Sequence, residues 1–330
     1  MQSFFKKLFS QHTLSRSEAK NALIELTSEG CSDSARAAFL TVFNMRPVTA
    51  NEILGFRDAM IDLSLKPTID SSGSMDICGT GGDGKNTFNI STTAAFIVAG
   101  AEQKIIKHGN YAVSSKCGSS NVLEGLGVRL TDDNKELNRQ LSEANLCFLH
   151  APLFHPALKT IAPTRKALGF KTIFNILGPL ANPALPKIQC SGVYSYDLVS
   201  LYRQVLSELE IQFGIVYALD GFDECSLTGK CLLTSWKGEE VFSAIDLGLG
   251  AVQQDQIRGA DDVKTSAEIL FGILKGEGSQ SHNAVAIANA GIALFIADRV
   301  SSLKEGVQAA RNSLTSGKAL AALNTCIGEK

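Results

Sequence analysis

Long hydrophobic runs are missing from this 330-residue chain. The longest, around Ala290–Ala297, falls well short of the roughly 20 apolar residues that span a bilayer, so no membrane partner is expected. A dominant charge of one sign is missing too: 31 Lys and Arg stand against 33 Asp and Glu, a net of −2. That excludes global attraction to nucleic acid, and any phosphate must be held by local donors. The eight cysteines (Cys31, Cys78, Cys117, Cys147, Cys190, Cys225, Cys231, Cys326) form no CxxC and no zinc spacing. They read as reduced, mostly buried thiols of a cytoplasmic protein. Phe4-Phe5-Lys6-Lys7-Leu8 lacks the apolar core of a secretory leader. No Ser-His-Asp or Cys-His pattern is present, and His150 and His155 read as structural. What is there, 45% hydrophobic and 19% charged residues, describes a soluble globular chain with room for one large or two ordinary domains.

The stretch Asp76–Glu124 organises the rest. Gly79–Gly84 places four glycines in six positions, where backbone N–H groups can turn toward an anion with no Cβ in the way. Asn89, Ser91, Thr92 and Thr93 stand at the entrance to an apolar helix over Ala94–Ala101, and a helix N-terminus favours phosphate. Lys104–His108 reads as a strand ending in a cation, Gly109-Asn110 turns the chain, and Ser114–Ser120 supplies more donors. The simplest ligand carries more than one phosphate. Gly79-x-Gly81-x-x-Gly84 matches the dinucleotide fingerprint, but that motif needs an acid at the end of the next strand, where Lys107-His108 stands. Gly79–Lys85 matches the P-loop except that Asn86 replaces the Ser or Thr that touches magnesium. Both motifs fail on context.

Taken in order, the chain opens with three amphipathic helices. Ser15-x-x-Glu18 is a capping box before Ala19, Ala22, Leu23 and Leu26, with a stop at Gly30. Ser32 or Asp33 starts a second helix with Ala35, Phe39, Val42 and Phe43 on one face. Thr49-x-x-Glu52 opens a third with Ile53, Phe56, Met60 and Leu63, and Pro67 closes the segment. Strand candidates follow at 74–78, 104–108, 128–130, 147–149, 190–193 and 215–219, with helical patterns between them. That alternation predicts a mainly parallel sheet flanked by helices, with ligands at the carboxyl ends of its strands. Six of the eight prolines fall within 151–186, whose middle, Arg165–Ile176, reads as helix. We read this segment as a return into the helical unit, with hinges near 67 and 151–190. The expected division is a small all-helical domain, 1–67, joined by a returning segment at about 160–186, and a larger α/β domain, 68–330.

Asp220-Gly221-Phe222-Asp223-Glu224 directly follows the strand candidate 215–219. Adjacent carboxylates on a loop at a strand end suit a hard cation that leaves positions open for substrate phosphates. Beside a polyphosphate cradle containing Ser91, that cation would be magnesium.

DICGTGGDG, NIST, KHGN, FHPALK, APTR, LGFKTIFNILGPLANP and LDGFDE occur in this order, and together the chain resembles the anthranilate phosphoribosyltransferase family. The resemblance implies the fold of the nucleoside phosphorylases and phosphoribosyltransferases, dimerising through the helical part. It implies transfer of the phosphoribosyl group of phosphoribosyl pyrophosphate to anthranilate, with pyrophosphate released, in tryptophan biosynthesis. By the same likeness Gly79, Gly82, Asp83, Thr87, Asn89, Ile90, Ser91 and Thr92 would form the phosphoribosyl-pyrophosphate loop. Lys107, Gly109, Asn110, Ser114, Ser115 and Ser119 would contact the sugar phosphates. Gly79, His108, Asn110, Arg165 and Gly178 would form the anthranilate site. Ser91, Asp223 and Glu224 would hold Mg2+, two ions in the family's pattern, with Lys107, Asp223 and Glu224 catalytic. Tyr111 departs from the basic residue usual after KHGN, which removes the charge that an anion contact from this position needs. Lys171 stands for a more usual Arg. A nucleoside phosphorylase would use inorganic phosphate and would not need the Asp223-Glu224 pair, while a non-catalytic relative binding nucleic acid would call for a basic excess the chain lacks.

Overall fold

The computed structural model describes residues 1–112 and 117–328. Its N-terminal part is helical: Gln2–Phe9, Arg16–Thr27, Asp33–Met45 and Ala50–Asp62. The expected caps form. Ser15 and Glu18 exchange side-chain and backbone bonds, Ser32 Oγ accepts from Ala35 N at 3.2 Å, and Thr49 and Glu52 form the second box. Phe39, Phe43 and Phe56 meet with ring centroids 5.1–5.9 Å apart. Each such buried ring contributes roughly 1.5–3 kcal/mol. Gln2–Phe9, which the sequence reading did not assign, is a helix packed on the same cluster through Leu8.

A seven-stranded sheet follows: β1 Met75–Gly79, β2 Ile105–Gly109, β3 Leu146–His150, β4 Ile188–Gly192, β5 Gln212–Ala218, β6 Cys231–Ser235 and β7 Gly238–Phe242. The order is β3-β2-β1-β4-β5-β6-β7, with β1–β5 parallel and β6 and β7 antiparallel. The expected α/β class with a mainly parallel sheet is what is found. The period of two sorts the strands' side chains. Met75, Ile77, Ile105, Leu146, Val216 and Leu233 join the core under helices Ile90–Gly100 and Gln280–Ile296, whereas Phe213, Ile215 and Leu232 join the helical unit's core.

Two expectations are corrected, and one element is new. Residues 128–130 form no strand: Val128 is buried without a ladder, its apolar side chain satisfied by the core alone. Arg165–Ile176 is not one helix, because Gly169 adopts φ 67° and ends Ala162–Leu168, and a second short helix, Phe174–Leu177, begins afterwards. The hairpin of β6 and β7 was not anticipated. Ile161, Ile173, Phe174 and Leu177 share one buried cluster with side chains of the N-terminal helices.

Candidate active site

Strand order creates the site. After β1 the chain runs outward to β2 and β3, then crosses back to lay β4 on the other side of β1, so loops leaving β1 and β4 diverge at their carboxyl ends. Gly79 and Gly192 end these strands and are register partners. A Cβ on either would collide with Asp223, so two glycines open the ground on which the acidic loop rests. Asp223 Oδ2 accepts from Gly81 N at 2.6 Å, and Glu224 Oε1 accepts from Ser91 N at 2.9 Å. Ser91 lies in the first turn of helix Ile90–Gly100, where the amide end favours an anion. Behind the pair, Asn289 Oδ1 accepts from Cys225 N at 3.0 Å and its Nδ2 donates to Cys225 O at 2.8 Å. The glycine loop and the acid loop therefore meet.

Two cavities adjoin across Gly79, Gly81 and Gly82, which line both. The larger, about 520 Å³, is walled by Asp83, Thr87, Asn89 and Ile90 on one side and by Asp223 and Glu224 on another. Lys171, Arg258 and Asp261 also face it, none of them assigned to the site from sequence. Arg258 is brought in by a loop that pairs with Thr87 and whose Gly259 N–H donates to Asn86 O at 2.7 Å. A lone arginine without a motif gave no signal. Thr92 is 1% exposed and lines neither cavity, and Ser91 lines a small hollow beneath Glu224 instead of the larger one.

The smaller cavity, about 270 Å³, lies between the sheet and the helical unit. Lys107, His108, Gly109 and Asn110 reach it from the end of β2, Ser119 from the start of the next helix, Arg165 and Gly178 from the returning segment, and Met60 and Phe174 from the helical side. Ser114 and Ser115 lie outside the described residues. Arg165 stacks on Phe174, its guanidinium carbon 5.0 Å from the ring centroid, and has no carboxylate within pairing distance among the described residues. Burial pulls its pKa down. Lys107 is 2% exposed; its ammonium donates to Ile77 O and stands 3.4 Å from Ser91 Oγ, so it underlies the acids instead of standing free. Tyr111 explains its own departure: its ring packs on His150 at 4.6 Å and its hydroxyl donates to Glu124 at 3.0 Å, latching the turn to the helix Ser119–Gly125.

The electrostatics ask for a cation. Burial, with Glu224 and Asp83 adding repulsion, lifts Asp223 well above the carboxylate range. Burial also pushes Glu224 up to about 7, with Lys107 and Ser91 pulling the other way. Asp83 Oδ2 is buried without a partner. These are hard oxygen donors short of positive charge, which fits magnesium. Among the described residues no three acidic, His or Cys side chains close around one point, so substrate oxygens and water must complete the coordination of any such ion. Burial and the neighbouring His155 push His108 down to about 3, so its ring is neutral, with Nδ1 3.2 Å from Gly178 O.

The glycosyl transferase family α/β domain model matches residues 71–320, and the helical bundle domain model of the same family matches 2–64. Anthranilate phosphoribosyltransferase of Christiangramia forsetii is 46% identical over 97% of this chain and 96% of its own. That of Flavobacterium johnsoniae is 43% identical over 98% of each. Among solved structures, the Thermus thermophilus anthranilate phosphoribosyltransferase has a TM-score of 0.92 at 32% identity, covering 98% of both chains. The Saccharomyces cerevisiae enzyme in complex with PRPP and Mg has a TM-score of 0.91 at 27% identity, covering 99% of this chain and 96% of that one.

Proposed function

Because the chain belongs to the anthranilate phosphoribosyltransferase family of glycosyl transferases, we propose that the two adjoining cavities divide its two substrates between them. The reaction joins the amine of anthranilate to C1 of the ribose of phosphoribosyl pyrophosphate; the C1–O bond to pyrophosphate breaks and the amine proton is lost to solvent. The observation that carries the assignment is the shared floor at Gly79–Gly82, with buried carboxylates on one side and a carboxylate-free arginine on the other.

In this reading the larger cavity takes phosphoribosyl pyrophosphate. The amides of Gly79–Gly84 and of the first turn of Ile90–Gly100 that Asp223 and Glu224 leave open face its phosphates, and Lys171 and Arg258 oppose the remaining charge. Asp223, Glu224 and Ser91 would hold Mg2+, in the two-ion pattern of the family, with the backbone amides of Gly81 and Ser91 fixing the two carboxylates. Bound there, magnesium supplies positive charge to the leaving diphosphate. Lys107, beneath Ser91 and Glu224, keeps Glu224 closer to its ionised form. The smaller cavity takes anthranilate. Arg165 pairs with its carboxylate, a charge-assisted contact strengthened by burial. Phe174 and the wall of Gly178 hold the ring, and Asn110 sits where the amine approaches the sugar. A neutral amine needs no strong base before attack, so orientation supplies most of what the protein adds on this side.

We also propose that 1–67 with the returning segment about 160–186 moves as one domain against 68–330, since the smaller cavity is walled by both. Phe9 and Met45, 64% and 81% exposed on the helical unit, support a homodimer formed there. Eight free cysteines support a cytoplasmic location. The test is to incubate the purified protein with anthranilate, phosphoribosyl pyrophosphate and magnesium and follow anthranilate fluorescence. Loss of anthranilate only when all three are present is the expected result, and its persistence in the full mixture overturns the reading.

A further inference from the structure

A further cation-bearing cavity, about 210 Å³, lies at the hinge, behind the wall of the anthranilate cavity. Its apolar sides come from Ile61, Leu180, Leu206, Leu209 and Ile211, and Arg57 of helix Ala50–Asp62 points charge into it. Arg57 Nε donates to Leu180 O at 2.9 Å. The nearest carboxylate, Asp58, is 3.7 Å from Nη1, beyond hydrogen-bond reach, and both its oxygens are taken by Arg16 at 2.6 and 3.1 Å. Only 16% of the Arg57 side chain is exposed. Lys187 stands at the rim, and among the described residues no Asp or Glu lines the cavity. The terminal nitrogens of this part-buried guanidinium make no hydrogen bond to the described residues and keep access to solvent, so an anion can reach them.

We propose that this hinge cavity is a binding site for a small organic carboxylate with an apolar body. The carboxylate pairs with the two terminal nitrogens of Arg57, and the body lies on the leucine and isoleucine wall. At about 30 Å³ per water the space holds roughly seven waters, the bulk of a small branched acid. The apolar wall disfavours inorganic phosphate, which brings no surface to bury. The site touches the catalytic one: Pro179 lines both cavities, and Met60 faces one where Ile61 faces the other. A ligand here therefore fixes the helical unit against β4 and changes the affinity of the smaller cavity.

Saturation-transfer NMR with isovalerate as probe tests this on the full chain, with isovaleramide as its uncharged match. Isovalerate should bind the wild type and the Arg165→Gln variant alike, since Arg165 lines only the anthranilate cavity. Arg57→Met should weaken it at least about tenfold, the scale of a lost charge-assisted pair. Leu209→Trp fills the cavity from its partly exposed rim and should abolish binding while leaving Arg57 in place. Isovaleramide should give no signal. Isovalerate binding that survives both Arg57→Met and Leu209→Trp, or that disappears in Arg165→Gln, overturns the proposal, as does an absent signal in the wild type at about 10 mM probe.

Discussion

Replacing Gly192 by alanine tests the geometry on which the active site depends. The residue ends β4, its backbone is ordinary strand, and nothing about its φ demands glycine. What demands it is the acid loop: a Cβ there would overlap the Asp223 carbonyl oxygen and stand 2.8 Å from the Asp223 carbonyl carbon. Since real carbon contacts are rarely closer than 3.4 Å, the carbon must retreat by over half an ångström and the overlapped oxygen by more. The carboxylates follow by on the order of 1 Å, a misplacement that costs about 10²-fold in rate. Methyl against backbone at a strand end leaves both cores intact, so the variant should fold. The assay is anthranilate consumption across a magnesium series, with a thermal melt beside it. We expect kcat about 10²-fold lower and a higher magnesium requirement, with a cooperative melt retained. A folded Gly192→Ala enzyme within twofold of wild type at limiting magnesium would refute the argument that these glycines exist to seat Asp223.

Asp223→Asn should lower turnover by roughly 10²-fold or more, as losing a key electrostatic group does, and wild-type turnover at limiting magnesium would remove the metal assignment. Arg165→Ala should raise KM for anthranilate by roughly 10–100-fold with little change in that for phosphoribosyl pyrophosphate, since it deletes one charge-assisted pair; equal effects on both would count against the division of cavities. Asn289→Ala frees the Cys225 backbone and should raise the magnesium needed for half-maximal rate; a lower melting temperature alone, with unchanged magnesium dependence, would make Asn289 merely structural. Glu224, raised from its ordinary 4.5 to about 7, holds its proton in the folded chain after the unfolded chain has lost it. Its contribution to stability thus falls as pH rises from about 4.5 to 7, and the metal-free Glu224→Gln protein should lose less melting temperature over that window than wild type. Equal slopes would contradict the burial argument.

Several features were legible because they are written in neighbouring residues. Ser15 with Glu18 and Thr49 with Glu52 announce helix starts through bonds spanning three positions, and the structure forms both boxes. Gly79–Gly84 and Asp223-Glu224 declared themselves by composition at strand ends. Other features had no local mark. Val128 looks like a strand residue because burial and pairing both select apolar side chains, yet it is buried without a partner strand. Trp236 and Lys237 form the turn between β6 and β7, and β7 carries two glutamates and is exposed over Gly238–Val241, which hides the alternation. Arg57 sits mid-helix beside Asp58 with no motif around it, and only the fold brings Arg16 onto that aspartate.

The amino-acid sequence by itself determined the helix starts, the alternation that makes a parallel sheet, the anion-ready glycine turn and the chemical character of the acid pair. Each depends on interactions between residues a few positions apart, where spacing is information. Only the tertiary structure decided that the acid pair rests on Gly79 and Gly192, that Arg258 closes the larger cavity, and that Arg57 and Arg165 face separate spaces on either side of Pro179. Those meetings follow from the crossover that seats β4 against β1, and a crossover is set by packing of whole faces between segments far apart in the chain, which no local pattern records.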